Sequence, residues 1–291
     1  MPILAGLGRS RPLRLLIIPV LALPLFGFGG LEALFAPKSE LWDRWERHDS
    51  ANTEVIDHDT WDQLLQRHIK RDSQGIHRFD YRAVVGPERQ ALDAYIGQLG
   101  RVNIDGYNRN EQYAYWVNLY NALTVQVVLD HYPVDSIRDI DISPGLFADG
   151  PWDKPLITVL GEELSLNDIE HRILRPIWND PRIHYAVNCA AIGCPNLQSS
   201  AFTGAALDSQ LDQAAREFVN SPRGVHSGSN GLVVSSIYAW FSEDFGGNTD
   251  GIIAHLKRYA EGETAAKLAN ANDLAGHEYD WSLNRPLGQG S

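Results

Sequence analysis

The sequence predicts a single α+β domain, with a central buried helix packed on an antiparallel sheet and further helices around it. Three observations carry this. Residues 113–131 are apolar almost all the way round at helical spacing, the pattern of a helix enclosed on every side. Several amphipathic helical stretches are interspersed with short strand-like runs. From about residue 40 to residue 291 there is no repeat, low-complexity tract or compositional shift to mark an internal boundary.

The elements are taken in chain order. Arg9, Arg11 and Arg14 precede an apolar run over residues 15–31. Basic residues followed by such a run read as an export signal or a membrane anchor over residues 1–36. The run is barely long enough to span a bilayer, and Pro19, Pro24 and three glycines interrupt it. Residues 42–72 are helix-like, with Leu64, Leu65, His68 and Ile69 at helical spacing. Residues 91–99 form a second amphipathic segment, and Pro133 closes the long helix over 113–131. Residues 157–160 read as a strand turning at Gly161. Ser165 with Asp168 three residues on makes a capping box, opening a helix that Pro176 ends. Residues 183–188 read as a strand, 207–219 as an amphipathic helix, 232–236 as a strand and 252–259 as a helix.

Composition excludes several functions. The net charge of −12 and the lack of a basic tract exclude nucleic acid as a partner. Two cysteines are too few for a disulfide scaffold or a four-thiolate zinc site. There is no glycine-rich phosphate loop and no G-x-S-x-G turn. The acidic groups Asp139, Asp141, Asp149 and Asp244, Asn248, Asp250 lack the twelve-residue calcium-loop pattern and read as solvated loops. No metal or cofactor is expected.

The densest chemistry lies between His184 and Pro195, where His184, Asn188, Cys189 and Cys194 fall close together. A thiol needs a base to become a thiolate nucleophile, and His184 could serve Cys189. In a strand the two side chains would point to opposite faces, so they meet only if the chain bends near Asn188. Two alternatives stand beside this one: a short-loop disulfide between Cys189 and Cys194, which would silence the thiol, and a buried free cysteine in the core. In the preceding helix Glu170 falls inside the apolar stripe and His171 outside it. A carboxylate on a buried face needs a partner, either a catalytic histidine or a structural loop. Asn118 and Asn121 share one face of the long helix, and their amides orient an active-site group or bind loop backbone. Trp116, Trp152, Trp240, Phe241 and Trp281 either line a ligand groove or fill the core.

Several motifs resemble one known family. They are Trp116-Val-Asn118-Leu-Tyr120-Asn121-Ala-Leu123, then Ile169-Glu170-His171 followed by Arg175, then Asp180-Pro-Arg-Ile-His184-Tyr-Ala-Val-Asn188-Cys189 with Gly193-Cys194-Pro195. Trp240-Phe241 with Asp244-Phe245-Gly246-Gly247, and Tyr279-Asp280-Trp281-Ser282-Leu283-Asn284, complete the set. Together they resemble the domain of unknown function 547 over about residues 55–285. The resemblance implies a fold similar in outline to the papain-like and transglutaminase-like cysteine hydrolases. It also implies that Cys189, His184 and Glu170 are the functional set, with Cys189 favoured over Cys194. In papain-like enzymes the nucleophile opens the central helix and precedes the histidine, whereas here Cys189 follows His184.

The expected function is an exported, periplasmic or secreted, cysteine-dependent hydrolase or acyltransferase acting on amide or thioester bonds. Cys189 would be the nucleophile, His184 the base and Glu170 the orienting carboxylate. Asn188 or backbone N–H groups in the turn after Cys189 would stabilise an oxyanion, and Asn118, Asn121 and Trp152 would contact a small-molecule or peptide substrate. The alternative is a non-catalytic module of the same fold that binds a ligand or a protein. Contact with a membrane is expected only through an uncleaved N-terminal segment. A redox role for the two cysteines departs from the C-x-x-C spacing.

Overall fold

The computed structural model describes residues 36–145 and 150–288. The expected export segment over residues 1–36 lies outside the described residues, Ala36 apart, as does Asp149.

The chain runs through α1 (Asp59–His68), the hairpin β1 (Ile69–Arg71) and β2 (His77–Phe79), α2 (Pro87–Leu99) and the long α3 (Arg109–His131). A second hairpin, β3 (Ile157–Val159) and β4 (Glu162–Leu164), leads into a π-helical segment (Asp168–Leu174) continued by α4 (Arg175–Trp178). Then follow α5 (Ile183–Ala186), α6 (Leu207–Val219), β5 (Val225–Gly228), β6 (Gly231–Ser235) and α7 (Ser236–Trp240). The chain ends with α8 (Thr249–Tyr259), α9 (Gly262–Ala269) and β7 (Gly276–Glu278).

The central helix is α3. The Asn108 side chain caps it, accepting from the backbone N–H groups of Asn110 and Glu111. Every residue from Glu111 to Val125 is buried, so packing on all sides rather than one apolar face holds the helix. Leu119, Leu123 and Val128 are each 0% exposed, and full burial of such side chains is worth roughly 1.5–3 kcal/mol apiece.

The α+β class and the buried helix follow the expectation, but the sheet component differs. Three small sheets occur among the described residues: β1–β2, β3–β4, and β5–β6–β7, in which β6 and β7 run parallel. Strands of three to five residues cannot cover a helix as long as α3, so helices and loops enclose it instead. Two apolar clusters result. The larger surrounds α3, and the smaller gathers Tyr185, Phe218, Tyr238 and Leu256 from α5, α6, α7 and α8, with Phe245 from the turn before α8.

Three local expectations are corrected. The helix expected over residues 42–72 is only a 3-10 turn (Asp43–Glu46) and α1. Between them the side chains of Asp49, Asn52 and Asp57 accept from the backbone two residues on, a local bonding that competes with helix. Residues 183–188 are not a strand: α5 forms after the Asp180 carboxylate accepts the Arg182 N–H, and the chain becomes extended at Val187. Pro176 does not end its helix, which continues to Trp178 and stops at Asn179 with φ 48°. Pro176 has no N–H to give the preceding turn, and the carbonyls of His171 and Arg172 accept from Glu40 and Trp42 N–H at 2.9 and 3.0 Å.

Candidate functional site

The site begins with the π-helical segment. The expected capping box is present: Ser165 N–H donates to the Asp168 carboxylate at 3.0 Å, and Asp168 N–H donates to Ser165 Oγ at 3.1 Å. Beyond it the winding loosens, and Arg175 N–H bonds to the Glu170 carbonyl, an i→i+5 link. The wider turn brings Glu170, His171 and Arg175 all into the interior, at 7%, 5% and 4% exposure. His171, placed off the apolar stripe by ordinary helical spacing, is therefore buried. π-turns concentrate at functional sites because they re-aim side chains that an α-helix would separate.

Two further elements complete a buried charged cluster. His184 comes from α5 and Asp244 from a 3-10 turn (Ser242–Phe245). Asp244 Oδ2 accepts from Arg175 Nε and from His184 Nε2, each at 2.6 Å. Burial alone would raise the Asp244 pKa, but hydrogen bonds from His184 and Arg175 reverse this and hold it well below the usual carboxylate value. The His184 ring stacks on Phe241 at 4.4 Å, and its Nδ1 lies 3.8 Å from Glu170 Oε1. Arg175 Nη1 donates to His171 Nδ1 at 3.0 Å. An arginine can only donate, so His171 carries its proton on Nε2 and is neutral. Burial lowers its pKa to about 4.

Glu170 is lightly satisfied for so buried a carboxylate. The Tyr120 hydroxyl faces Glu170 and the Trp152 side chain. The two histidine nitrogens near Glu170 stand off at 3.8 and 3.9 Å, beyond hydrogen-bond range. A carboxylate offers about four acceptor positions, so most of this group's capacity remains available to a donor.

Cys189 and Cys194 are joined in a disulfide. Tyr279 Oη lies 2.9 Å from Cys189 Sγ and donates to Cys194 Sγ at 3.1 Å. Beside Tyr279 stands a half-buried aromatic cluster, with the Trp240 and Trp281 rings at 4.8 and 4.7 Å from Tyr279 and Trp152 at 5.8 Å from Trp281. Gly193 makes this approach possible, since a Cβ there would meet the Tyr279 ring at 2.9 Å and Asp280 N at 2.8 Å. Ala190 follows the cysteine in left-handed backbone at φ 58°, an uncommon state for a residue with a Cβ.

The asparagines hold this loop in place. Asn121 donates to the Ala186 carbonyl at 2.9 Å and accepts from Asn188 N–H at 2.8 Å. Asn188 donates to the Pro195 carbonyl and accepts from Ala190 N–H. Asn118 makes the same two-ended clamp on Phe202. All of these bonds go to backbone, so the three amides set the path of the chain around the cysteines. The fold thus brings Glu170, His184 and, through Tyr120, Trp152 into one neighbourhood. Among the hydrogen bonds and ion pairs of the described residues, none joins His184 to Cys189.

Arg175, Tyr120 and Tyr279, which no residue-type argument points to, also belong to the neighbourhood, as does Asp244, expected in a solvated loop but paired with Arg175 and His184. All four stand in the motifs that carry the family resemblance. The acidic loop around Asp244 has another use than cation binding: Asp244 turns inward, and Asn248 caps α8 by accepting from Gly251 N–H at 2.9 Å. Among the described residues no group of three or more His, Cys, Asp and Glu side chains is placed to hold a metal ion.

Comparison with known proteins agrees with the motifs. Residues 104–219 match the family model described as Protein of unknown function, DUF547. The matched segment contains α3, the π-helical segment, α5 and both cysteines. No curated protein and no solved structure gives a significant match.

Proposed function

We propose that this protein is an exported ligand-binding module whose recognition site is the Glu170 carboxylate beneath the Trp152–Trp240–Trp281–Tyr279 cluster. One observation carries the reading: two groups of the expected triad are engaged elsewhere and the third is not. Cys189 is bonded to Cys194 and His184 Nε2 to Asp244, while both histidine nitrogens near Glu170 stand off at 3.8 and 3.9 Å. What is left is a buried acceptor with spare capacity beside half-buried aromatic faces. That combination suits a small molecule or peptide with an N–H or O–H donor and a flat apolar face. The basic-then-apolar pattern of residues 9–31 supports export, and a disulfide suits an oxidising compartment.

Tryptophan fluorescence of the purified protein, titrated with saccharides, amines and short peptides, tests this. Saturable binding that is lost in Glu170→Gln and weakened in Trp152→Ala is the expected result. Turnover of an amide or thioester substrate that vanishes in Cys189→Ala would overturn it. One observation favours that second reading, a cysteine hydrolase or acyltransferase. Glu170 Oε1 stands 3.8 Å from His184 Nδ1, a short shift from an orienting contact. Such an enzyme would need the 189–194 bond reduced, so its turnover would depend on added thiol.

A further inference from the structure

We propose that the Cys189–Cys194 cystine is a thiol–disulfide exchange site that oxidises low-molecular-weight thiols, with Cys189 Sγ the atom attacked and Cys194 the leaving thiolate. This goes beyond ligand binding and rests on an asymmetry between the two sulfurs. Cys189 is half-buried, whereas Cys194 is 4% exposed. An incoming thiolate therefore reaches Cys189 first. The backbone donor, by contrast, serves Cys194, whose Sγ accepts from Cys189 N–H at 3.0 Å. The Tyr279 hydroxyl stands between the sulfurs, 2.9 Å from Cys189 Sγ and 3.1 Å from Cys194 Sγ. A thiol whose thiolate is stabilised is the better leaving group.

Two features reinforce the arrangement. The Arg223 guanidinium donates to the carbonyls of Cys194 at 2.6 Å and Ile192 at 3.0 Å, and to Asn196 Oδ1 at 2.8 Å. Its positive charge is thus fixed within the cysteine loop, where it favours a sulfur anion. Burial raises the Tyr279 pKa, so its hydroxyl stays protonated and able to donate. Tyr279 touches both sulfurs and can pass its hydrogen bond wholly to Cys194 as the bond opens.

The exchange balances as follows. The lone pair of the external thiolate forms a bond to Cys189 Sγ while the Sγ–Sγ pair leaves on Cys194. A second thiolate attacks the external sulfur of the mixed disulfide and expels Cys189 as thiolate. Two thiols are oxidised to one disulfide, and the cystine is reduced to two cysteines. The C-x-x-C spacing is not required, because the donors lie on Cys189 N and on Tyr279, far along the chain.

Glutathione is the probe. Oxidised protein is mixed with it, quenched at short times with N-ethylmaleimide, digested and sequenced by fragment mass spectrometry. Glutathione on Cys189 with maleimide on Cys194 is expected, formed at least tenfold faster than in a synthetic peptide of residues 186–198 closed by the same disulfide. Tyr279→Phe is expected to slow the reaction about tenfold, in line with loss of a hydrogen bond to a charged atom. Glutathione found on Cys194, or a rate no faster than the peptide's, overturns the proposal. So does an unchanged rate in a Tyr279→Phe protein that keeps its thermal transition. Should that variant not fold, the position and rate of the adduct in the natural protein decide alone.

Discussion

Asp244 shows how single residues carry this structure. It holds Arg175 and His184 at 2.6 Å each, while Arg175 also reaches His171 and the Pro37 carbonyl. Removing Arg175 would leave the Asp244 carboxylate without its permanently charged partner. Arg175→Met is therefore expected to cost about 3 kcal/mol or more, read as a lowered midpoint in urea unfolding. The same groups set the acid response. Burial lowers the pKa values of His58, His171 and His255 from 6.5 to about 4. Their neutral forms belong to the folded state, so their contribution is complete above pH 6.5 and is lost as pH falls toward 4. The Asp244 pKa is depressed below 3.8, so its contribution is present above that pH and lost below it. Thermal midpoints should fall between pH 6.5 and 4, and again below 3.8. A midpoint constant from pH 6.5 to 4 would contradict the buried neutral histidines.

At the scale of elements, what could be read in the sequence was what repeats. The long α3 and the amphipathic α6 follow from apolar spacing, and the Ser165–Asp168 box follows from cap chemistry. Ser165→Ala should cost about 1 kcal/mol, seen as a lower thermal midpoint. The π-winding was not legible, because spacing arguments assume 3.6 residues per turn. That assumption placed Glu170 correctly inside but left His171 outside, although both are buried. The four-residue α5 was missed because so short a helix has no period to detect, and its shape depends on the remote Asn121. Asn121→Ala would leave the buried Ala186 carbonyl and Asn188 N–H without that partner, at roughly 1–3 kcal/mol each. Faster amide hydrogen exchange over residues 186–190 would report it.

For the whole molecule, the decisive links join residues far apart in sequence. The 37–42 segment lies along the π-helical segment, Asp244 pairs with His184 across 60 positions, and Tyr279 lies 90 positions from Cys189. No local pattern announces such contacts. The disulfide closes a loop with a sequence separation of 5. In a chain-entropy estimate a loop of that size contributes roughly 2 kcal/mol, so reduction should lower the thermal midpoint by about 4–8 °C.

The partnership of Cys189 with Cys194 bears most directly on how the site works. Purified protein would be alkylated with iodoacetamide under native, non-reducing conditions, digested, and read by mass spectrometry. The predicted result is a peptide carrying the intact 189–194 disulfide and no label on either sulfur until reductant is added. Rapid labelling of Cys189 without reductant, lost in His184→Ala, would contradict it and restore a nucleophilic cysteine served by that histidine.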